Sequence, residues 1–163
     1  MIHKILSKLN CIVPLDEAHA HCDIPCKIYD PSTAIIAALS VVRLIDIIKE
    51  VEANGSVQSL NTITRCVLQK EEEAEKVKHE IRVIWGDYIK APQVEAHPNV
   101  NQIAHDIMLK ASACKQNVDR AHGESLVELV NQFAEIFWQT KNIKTSRKQA
   151  PYPPSLAVVY PDL

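Results

Sequence analysis

The sequence of 163 residues has little glycine, no long apolar run and no excess of charge of either sign. Its 18 basic and 20 acidic residues leave a formal net charge of −2, which offers no electrostatic footprint for nucleic acid or for an anionic membrane. No segment approaches the roughly 18 consecutive apolar residues that a transmembrane helix needs. We therefore expect one domain with neither a nucleic-acid nor a membrane partner.

A disulfide framework is not expected either. The cysteines are odd in number and lie at positions 11, 22, 26, 66 and 114, so that only Cys22 and Cys26 are close together. Cys66 and Cys114 stand among apolar neighbours at helical spacing. Because free cysteine is among the most buried residue types, both are predicted to pack in the core.

Helical periodicity dominates the rest of the chain. The nine prolines fall mostly outside four stripes of apolar residues spaced three or four apart, which predict four amphipathic helices. With short connections, these helices favour an all-α fold, an antiparallel four-helix bundle. The stripes are Ile35, Leu39, Val42 and Ile45; Ile63, Val67, Ala74, Val77, Ile81, Ile84 and Tyr88; Val100, Ile103, Ile107 and Ala111; and Leu126, Val130, Phe133 and Phe137.

Local signals set the expected helix ends. Asp30 is a natural N-cap and Pro31 suits the first helical position, while Asn54-Gly55 should end the first helix. Pro92 is expected to end the second helix, which runs from about Leu60 to Lys90. Its acidic run at 71–73 lies off the apolar stripe and is expected to face solvent.

The C-terminal residues 146–163 are rich in proline and cannot continue a helix. Strand-type alternation is confined to Leu156–Tyr160. We predict that this tail lies extended, on the surface or on a neighbouring subunit.

Residues 1–20 have the character of a cleavable leader. They end in Ala18-His19-Ala20, which resembles a signal-peptidase site, but Lys8 and Asn10 interrupt the apolar run that secretion requires. We therefore expect removal of residues 1–20, a cytoplasmic location with secretion as the alternative, and a mature domain over residues 21–145.

The chemistry is concentrated in His21-Cys22-x-x-Pro25-Cys26. Two thiolates and one imidazole within six residues suit a late first-row transition metal. A structural zinc site usually takes four side-chain ligands, and this loop supplies three. The remaining candidates His79, His97, His105 and His122 are scattered and are expected at the surface or at helix ends.

Cleavage after Ala20 would supply the missing donor. His21 would become the N-terminal residue, and its amine and the amide nitrogen of Cys22 would join the two thiolates. Two nitrogens and two sulfurs in one plane favour Ni(II) or Cu(II) over zinc, with the His21 imidazole available as an axial ligand. Pro25 makes the turn that returns Cys26 toward Cys22.

Residues 21–31, HCDIPCKIYDP, closely resemble the nickel hook HCDxPCGVYDP of the nickel-containing superoxide dismutases. Residues 83–92, VIWGDYIKAP, and residues 136–141, IFWQTK, are similar to that family's VLWSDYFKPP and IFWETK. The resemblance extends from His21 to Lys144, and the hook is its most specific part.

The resemblance implies a four-helix bundle, assembled as a homohexamer, that dismutates superoxide to dioxygen and hydrogen peroxide. Nickel would alternate between Ni(III) and Ni(II), held by His21, Cys22 and Cys26. Tyr29 matches the tyrosine beside the open nickel face, and Asp23 matches an aspartate that shapes the loop. The implied partners are superoxide as substrate and a protease that removes the leader.

Three positions depart from the family pattern. Lys27 replaces the usual glycine, which would strain the backbone if φ is positive there, and its charge could attract the superoxide anion. Ala37 and Glu73 stand where well-known members have a glutamate and an arginine that support the axial histidine.

Two alternatives stay open on the sequence. The chain could be a nickel- or copper-binding relative with little or no dismutase turnover, in keeping with Ala37 and Glu73. Cys22 and Cys26 could instead form a redox disulfide or an unrelated thiol pair, although that leaves His21, Pro25 and Tyr29 without a joint explanation.

Overall fold

A computed structural model of the chain describes residues 27–51 and 55–163. Helices α1, α2, α4 and α5 form a ring of neighbours in which α1 and α4 each contact α2 and α5. The predicted four-helix bundle is therefore confirmed. The helices are α1 Ser32–Glu50, α2 Val57–Val83, α3 Ala91–Ala96, α4 Val100–Gln116 and α5 Arg120–Gln139; a π-helical turn covers Ile84–Tyr88, and strands β1 Thr145–Gln149 and β2 Ala157–Pro161 follow.

Helix α1 begins at Ser32, one residue later than predicted, and Pro31 rather than Asp30 is its N-cap. Asp30 Oδ1 accepts a hydrogen bond from the backbone N–H of Ser32 at 2.7 Å, which satisfies one of the unpaired donors of the first turn. All four residues of the predicted stripe are buried. The helix ends at Glu50, earlier than the predicted stop at Asn54-Gly55; Gly55 has φ +75°, and Asn54 lies outside the described residues.

Helices α1 and α5 approach each other closely. A Cβ atom built on Gly123 would lie 2.8 Å from Cγ2 of Val42, a separation that side-chain contacts do not tolerate. Glycine at 123 thus lets the backbone of α5 lie directly against α1. The interface continues into fully buried Leu126, Val130 and Phe133.

The second predicted helix changes its period before it ends. Past Val83 the chain forms a π-helical turn in which the N–H of Ile89 donates to the carbonyl of Ile84, five residues back, at 3.1 Å. The expectation of one regular helix to Lys90 was therefore wrong. Pro92 lies inside the short helix α3, at a first-turn position that needs no N–H donor, and does not end α2.

The buried side chain of Lys70, on α2, caps the C-terminus of the neighbouring helix α4. The side chain is 1% exposed, and Nζ donates to the carbonyls of Cys114, Lys115 (2.8 Å) and Asn117 (3.3 Å). These carbonyls lie at the C-terminus of α4, where acceptors lack helical partners and the dipole favours a cation. Burial lowers the pKa of Lys70, so that the carbonyl contacts are what compensate the buried ammonium.

The segment after α5 turns back on itself as a β-hairpin. Strands β1 and β2 are antiparallel, with Thr145 opposite Pro161 and Gln149 opposite Ala157. The prediction of an extended tail is confirmed for β2, whereas β1 was not predicted. Val158 and Val159 are both buried, because the hairpin packs on the bundle of its own chain.

Asn131 of α5 attaches this hairpin to the helices. Its side chain is buried; Nδ2 donates to the carbonyl of Ala157 at 2.9 Å, and Oδ1 accepts from the N–H of Val159 at 3.0 Å. The side-chain amide of Asn131 therefore bonds both a carbonyl and an N–H of β2, as the backbone of a neighbouring strand would. Arg147 of β1 adds hydrogen bonds to Glu128 and Glu135, and those bonds lower the pKa of Glu128. Leu163, which lies beyond β2, is 96% exposed.

Among the described residues, no helix combines the length and the apolar character that crossing a lipid bilayer would require.

Replacing Lys70 with methionine should lower the free energy of unfolding by about 1–3 kcal/mol, the usual cost of leaving buried acceptors unpaired. Methionine keeps the apolar stem of the side chain, so packing changes little. Denaturant titration measures the change, with Lys76→Met on the exposed face of the same helix as the matched control. Equal stability of the two variants would contradict the role given to Lys70.

Candidate metal centre

The described structure begins at the root of the predicted metal loop. His21, Cys22, Asp23 and Cys26 lie outside the described residues, and so does the leader. Lys27 and Tyr29 are described. Two residues lie between Cys26 and Tyr29, and the three Cα–Cα steps span at most about 10 Å, so the elements around Tyr29 border the loop.

Lys27 adopts the left-handed conformation, with φ 60°. A side chain at this φ crowds the following carbonyl, at a cost of roughly 1–2 kcal/mol, which glycine avoids. The strain expected if this position required a positive φ is therefore present. The lysine side chain itself is exposed.

A chain of aromatic rings runs inward from Tyr29. Its ring centroid lies 5.7 Å from that of Tyr88, Tyr88 lies 5.2 Å from Phe137, and Phe137 lies 5.1 Å from Trp138. The last two pairs meet edge to face, an arrangement that stabilises aromatic contacts beyond the burial of their area. The rings join the loop preceding α1, the π-helical turn and the end of α5.

The hydroxyl of Tyr88 has a defined partner and a defined direction. It lies 2.7 Å from Oγ1 of Thr140, and Thr140 Oγ1 donates its proton to the carbonyl of Phe137 at 2.6 Å. Because a threonine hydroxyl has one proton to give, Tyr88 is the donor. Nζ of Lys141 lies 4.6 Å from the Tyr88 ring centroid and 5.1 Å from that of Phe137, which places a cation over this cluster.

The two other departures from the family pattern lie on facing helices. Ala37 of α1 is fully buried, and its methyl group is part of the core. Glu73 of α2 is partly exposed, accepts from Gln69 Nε2 at 3.2 Å, and lines a groove of about 390 Å³ with Ile36 and Tyr152. Glu71 and Glu72 are exposed, so the expectation of a solvated acidic run holds for those two residues.

The described thiols and imidazoles outside the loop do not assemble a second centre. Cys114 is buried as predicted, and burial raises the pKa of its thiol to about 11. Cys66 is only half buried, which corrects the expectation of a core position. Within residues 27–51 and 55–163, no three His, Cys, Asp or Glu side chains are grouped so that they could hold a metal ion.

Four residues of the ring cluster had no predicted role. Tyr88 was assigned only to an apolar stripe, and Trp138, Thr140 and Lys141 received no function. Yet all four lie in the segments 83–92 and 136–141 that carry the family resemblance. Both segments resemble the family although they lie far apart in the sequence. This shared resemblance was the available signal that the two segments meet in space.

Comparison with known proteins gives a consistent result. The family model described as nickel-containing superoxide dismutase matches residues 16–141. The chain is 36% identical over 137 residues to the superoxide dismutases [Ni] of Streptomyces coelicolor and Streptomyces seoulensis, covering 84% of this chain and 98% of each relative. A native nickel superoxide dismutase structure, 36% identical, superposes with a TM-score of 0.67 over 75% of this chain and 99% of that one.

The backbone strain at Lys27 should be measurable by comparing two variants at this position. Lys27→Ala and Lys27→Gly both remove the charge, but only glycine also removes the Cβ atom that is crowded at φ 60°. We expect the glycine variant to be more stable than the alanine variant by about 0.5–1 kcal/mol. The free energies of unfolding of the two metal-loaded variants are measured by denaturant titration. An alanine variant at least as stable as the glycine variant would show that no strain is stored there.

Proposed function

The chain belongs to the nickel-containing superoxide dismutase family, and from this membership we propose that it dismutates superoxide. Two superoxide anions and two protons become one dioxygen and one hydrogen peroxide. The observation that carries the proposal is the family match from residue 16 to 141, which includes both the loop at 21–26 and the residues of the ring cluster. These comparisons favour the dismutase over a metal-binding relative without turnover.

The donor set of the loop fits nickel. We assign the metal to the amine and imidazole of His21, the amide nitrogen and thiolate of Cys22 and the thiolate of Cys26. Soft thiolates and an anionic nitrogen suit Ni(II) and would stabilise its oxidised form, so that nickel, when bound, would supply a one-electron cycle. Asp23 and Pro25 shape the backbone between these donors.

Tyr29 and Tyr88 form the protein side of this site. The Tyr29 ring is half buried and packs against the core beside Tyr88, whose hydroxyl is fixed by Thr140. We assign to Tyr29 the ordering of water at the open side of the loop and the limiting of access to small molecules. The ring contact with Tyr88 holds that phenol in place.

Positive charge accompanies the site. The Lys141 ammonium lies over the Tyr88 ring, and Lys27 is exposed beside the loop. Both charges attract an anion and increase the rate of encounter, an effect that falls as salt is added. We assign both lysines to steering superoxide toward the loop.

The support of the axial imidazole differs from the family pattern. Ala37 offers no polar atom beyond its backbone, and Glu73 carries a charge opposite to that of the usual arginine. Because such groups tune the orientation of a ligand, we expect the His21 imidazole to bind nickel with a different strength, and we do not expect loss of the metal.

We also propose how the protein assembles, how it is processed and where it acts. Large apolar side chains are exposed on several faces, including Ile36 (55%), Leu68 (59%) and Leu109 (58%), and a homohexamer would cover such surface. We further propose that a protease removes residues 1–20 and that the mature protein acts in the cytoplasm.

Replacing Cys26 with serine should abolish dismutation, because a serine hydroxyl is a poor ligand at neutral pH. The matched control is Cys66→Ser, at a half-buried thiol on α2 outside the loop. Metal analysis and superoxide consumption measure the outcome. A Cys26→Ser protein with full nickel content and an unchanged rate would refute the assigned ligand set.

Removal of residues 1–20 should be required for nickel binding and for dismutation. Before cleavage the nitrogen of His21 is an amide whose lone pair is delocalised, whereas cleavage yields a primary amine with a pKa near 8 that the metal readily deprotonates. Nickel content and dismutase rate should be measured for a full-length chain, a chain starting at His21 and a chain starting with one extra alanine. We expect activity only in the second.

The extra-alanine chain is the control in that comparison. It has lost the leader but begins with an amine one residue too early. If it is as active as the chain starting at His21, the leader acts only by blocking the loop sterically or by targeting the protein to a compartment. The proposal that the His21 amine binds the metal would then be wrong.

A further inference from the structure

A groove along α1 is lined by apolar side chains and is open to solvent. It lies between α1, α2 and the C-terminal hairpin, and its volume of about 390 Å³ falls within the range of about 300–1,000 Å³ that ligand pockets take. Leu39 and Leu44 line it, and so do Ile36 and Tyr152, which are 55% and 45% exposed. We call this surface the α1 groove. Exposed apolar side chains grouped in this way mark a site of interaction.

The leader carries an apolar face that needs a partner. Six of its apolar residues recur at intervals of three or four, which places them on one side of a helix, while Lys4, Ser7 and Lys8 fall on the other side. They are Ile2, Ile5, Leu6, Leu9, Ile12 and Val13. An isolated helix of this length is marginal in water, so a segment of this pattern becomes ordered mainly by binding to an apolar surface.

We propose that residues 2–13 bind as an amphipathic helix in the α1 groove of their own chain until the leader is removed. Helices bind apolar grooves through anchors at this spacing. The inference rests on the proposed processing after Ala20, but it depends neither on nickel nor on dismutation.

The chain between the two parts is long enough for this contact. Residues 14–26 can span about 45 Å, whereas Leu44, at the far end of the groove, lies at most about 36 Å from Lys27. The stretch of α1 from Ile36 to Leu44 is about 12 Å long, which accommodates two turns of a second helix. Because a short tether gives an effective concentration in the millimolar range, a weak intrinsic affinity is enough to keep the leader bound.

The α1 groove begins close to the first described residues. A smaller cavity of about 130 Å³ is lined by Asp30 and Ser32 and shares Ile36 and Tyr152 with the groove. The two cavities therefore form one depression that leads from the root of the metal loop along α1. The family match ends at residue 141, so the hairpin that completes the groove lies beyond it.

The charges of the leader and the groove are complementary. The first 13 residues contain Lys4 and Lys8 and no acidic residue. Glu73 lines the groove and accepts a hydrogen bond from the neutral side chain of Gln69, so its charge is not balanced by that contact. Arg43 also lines the groove, but its charge is paired with Glu50 at 3.0 Å. Complementary charge of this kind fixes the orientation of a bound segment.

Docking would couple processing to assembly. With Val13 held in the groove and Tyr29 packed on the core, the bond after Ala20 would lie in the connection between two fixed points, and such connections are preferred sites of proteolysis. Cleavage would remove the tether and with it the effective concentration that keeps the leader bound. Ile36 would then become available for the subunit contacts proposed for the mature protein.

Photocrosslinking of the full-length chain tests the docking directly. The photoreactive residue benzoylphenylalanine replaces Leu9, at the centre of the apolar face, and peptide mass mapping identifies the partner. We expect an intramolecular product with the residues of the α1 groove. The matched control carries the same group in place of Ser7, on the polar face, and should give severalfold less of that product. Crosslinks to a second chain, or to the α4 surface around Leu109, would overturn the proposal.

This inference and the proposed function fail separately. A chain that docks its leader but neither binds nickel nor dismutates superoxide after processing would refute the proposed function alone. A chain that is active after processing but gives no crosslink in the groove would refute the docking alone.

Limited trypsin digestion of the full-length chain measures how much of the leader is bound. Trypsin cleaves after Lys4 and Lys8, and docking should slow both cleavages because the bound helix does not fit the protease. We expect Ile36→Asp to accelerate them severalfold, as followed by mass spectrometry. The matched control is Leu109→Asp, at a side chain that is 58% exposed on α4 and should leave the rates unchanged. Equal cleavage rates in the two variants would overturn the proposal.

Discussion

The close approach of α1 and α5 determines where the site lies. Gly123 allows Val42 to contact the backbone of α5, and the buried face of α1 runs from Ala34 to Ile45. The two helices run in opposite directions, so the start of α1 and the end of α5 fall at the same end of the bundle. The loop root at Tyr29 and the cluster of Phe137 and Trp138 meet there.

The π-helical turn adds a second constraint at that end. By forming i to i+5 hydrogen bonds it shifts the helical phase between Val83 and Ile89. Tyr88 is thereby held between Tyr29 and Phe137, with its hydroxyl on Thr140. Irregular turns of this kind are frequent at functional sites, and here the irregularity places the one phenol that connects α5 to the loop.

The sequence predicted the features that depend on local chemistry and on period. Asp30 accepts a hydrogen bond from the first turn of α1, and the four stripes bury the residues named for them, apart from Ile63, Val67 and Tyr88, which are half buried. The π-helical turn could not be predicted, because a change of period within one apolar stripe leaves the residue types unchanged. Strand β1, TSRKQ, has no apolar alternation; it forms because Arg147 pairs with Glu128 and Glu135 and because β2 offers it a partner. The assignment of the metal ligands rests on the hook sequence alone. Lys27 is the hook position whose backbone is described, and its positive φ agrees with the glycine that the family has there.

The exposure of the residues after β2 has a practical consequence. Leu163 lies beyond β2 and is 96% exposed, whereas the amine of His21 is the proposed metal ligand. Fluorophores or tethers therefore belong after β2, where they leave that amine untouched.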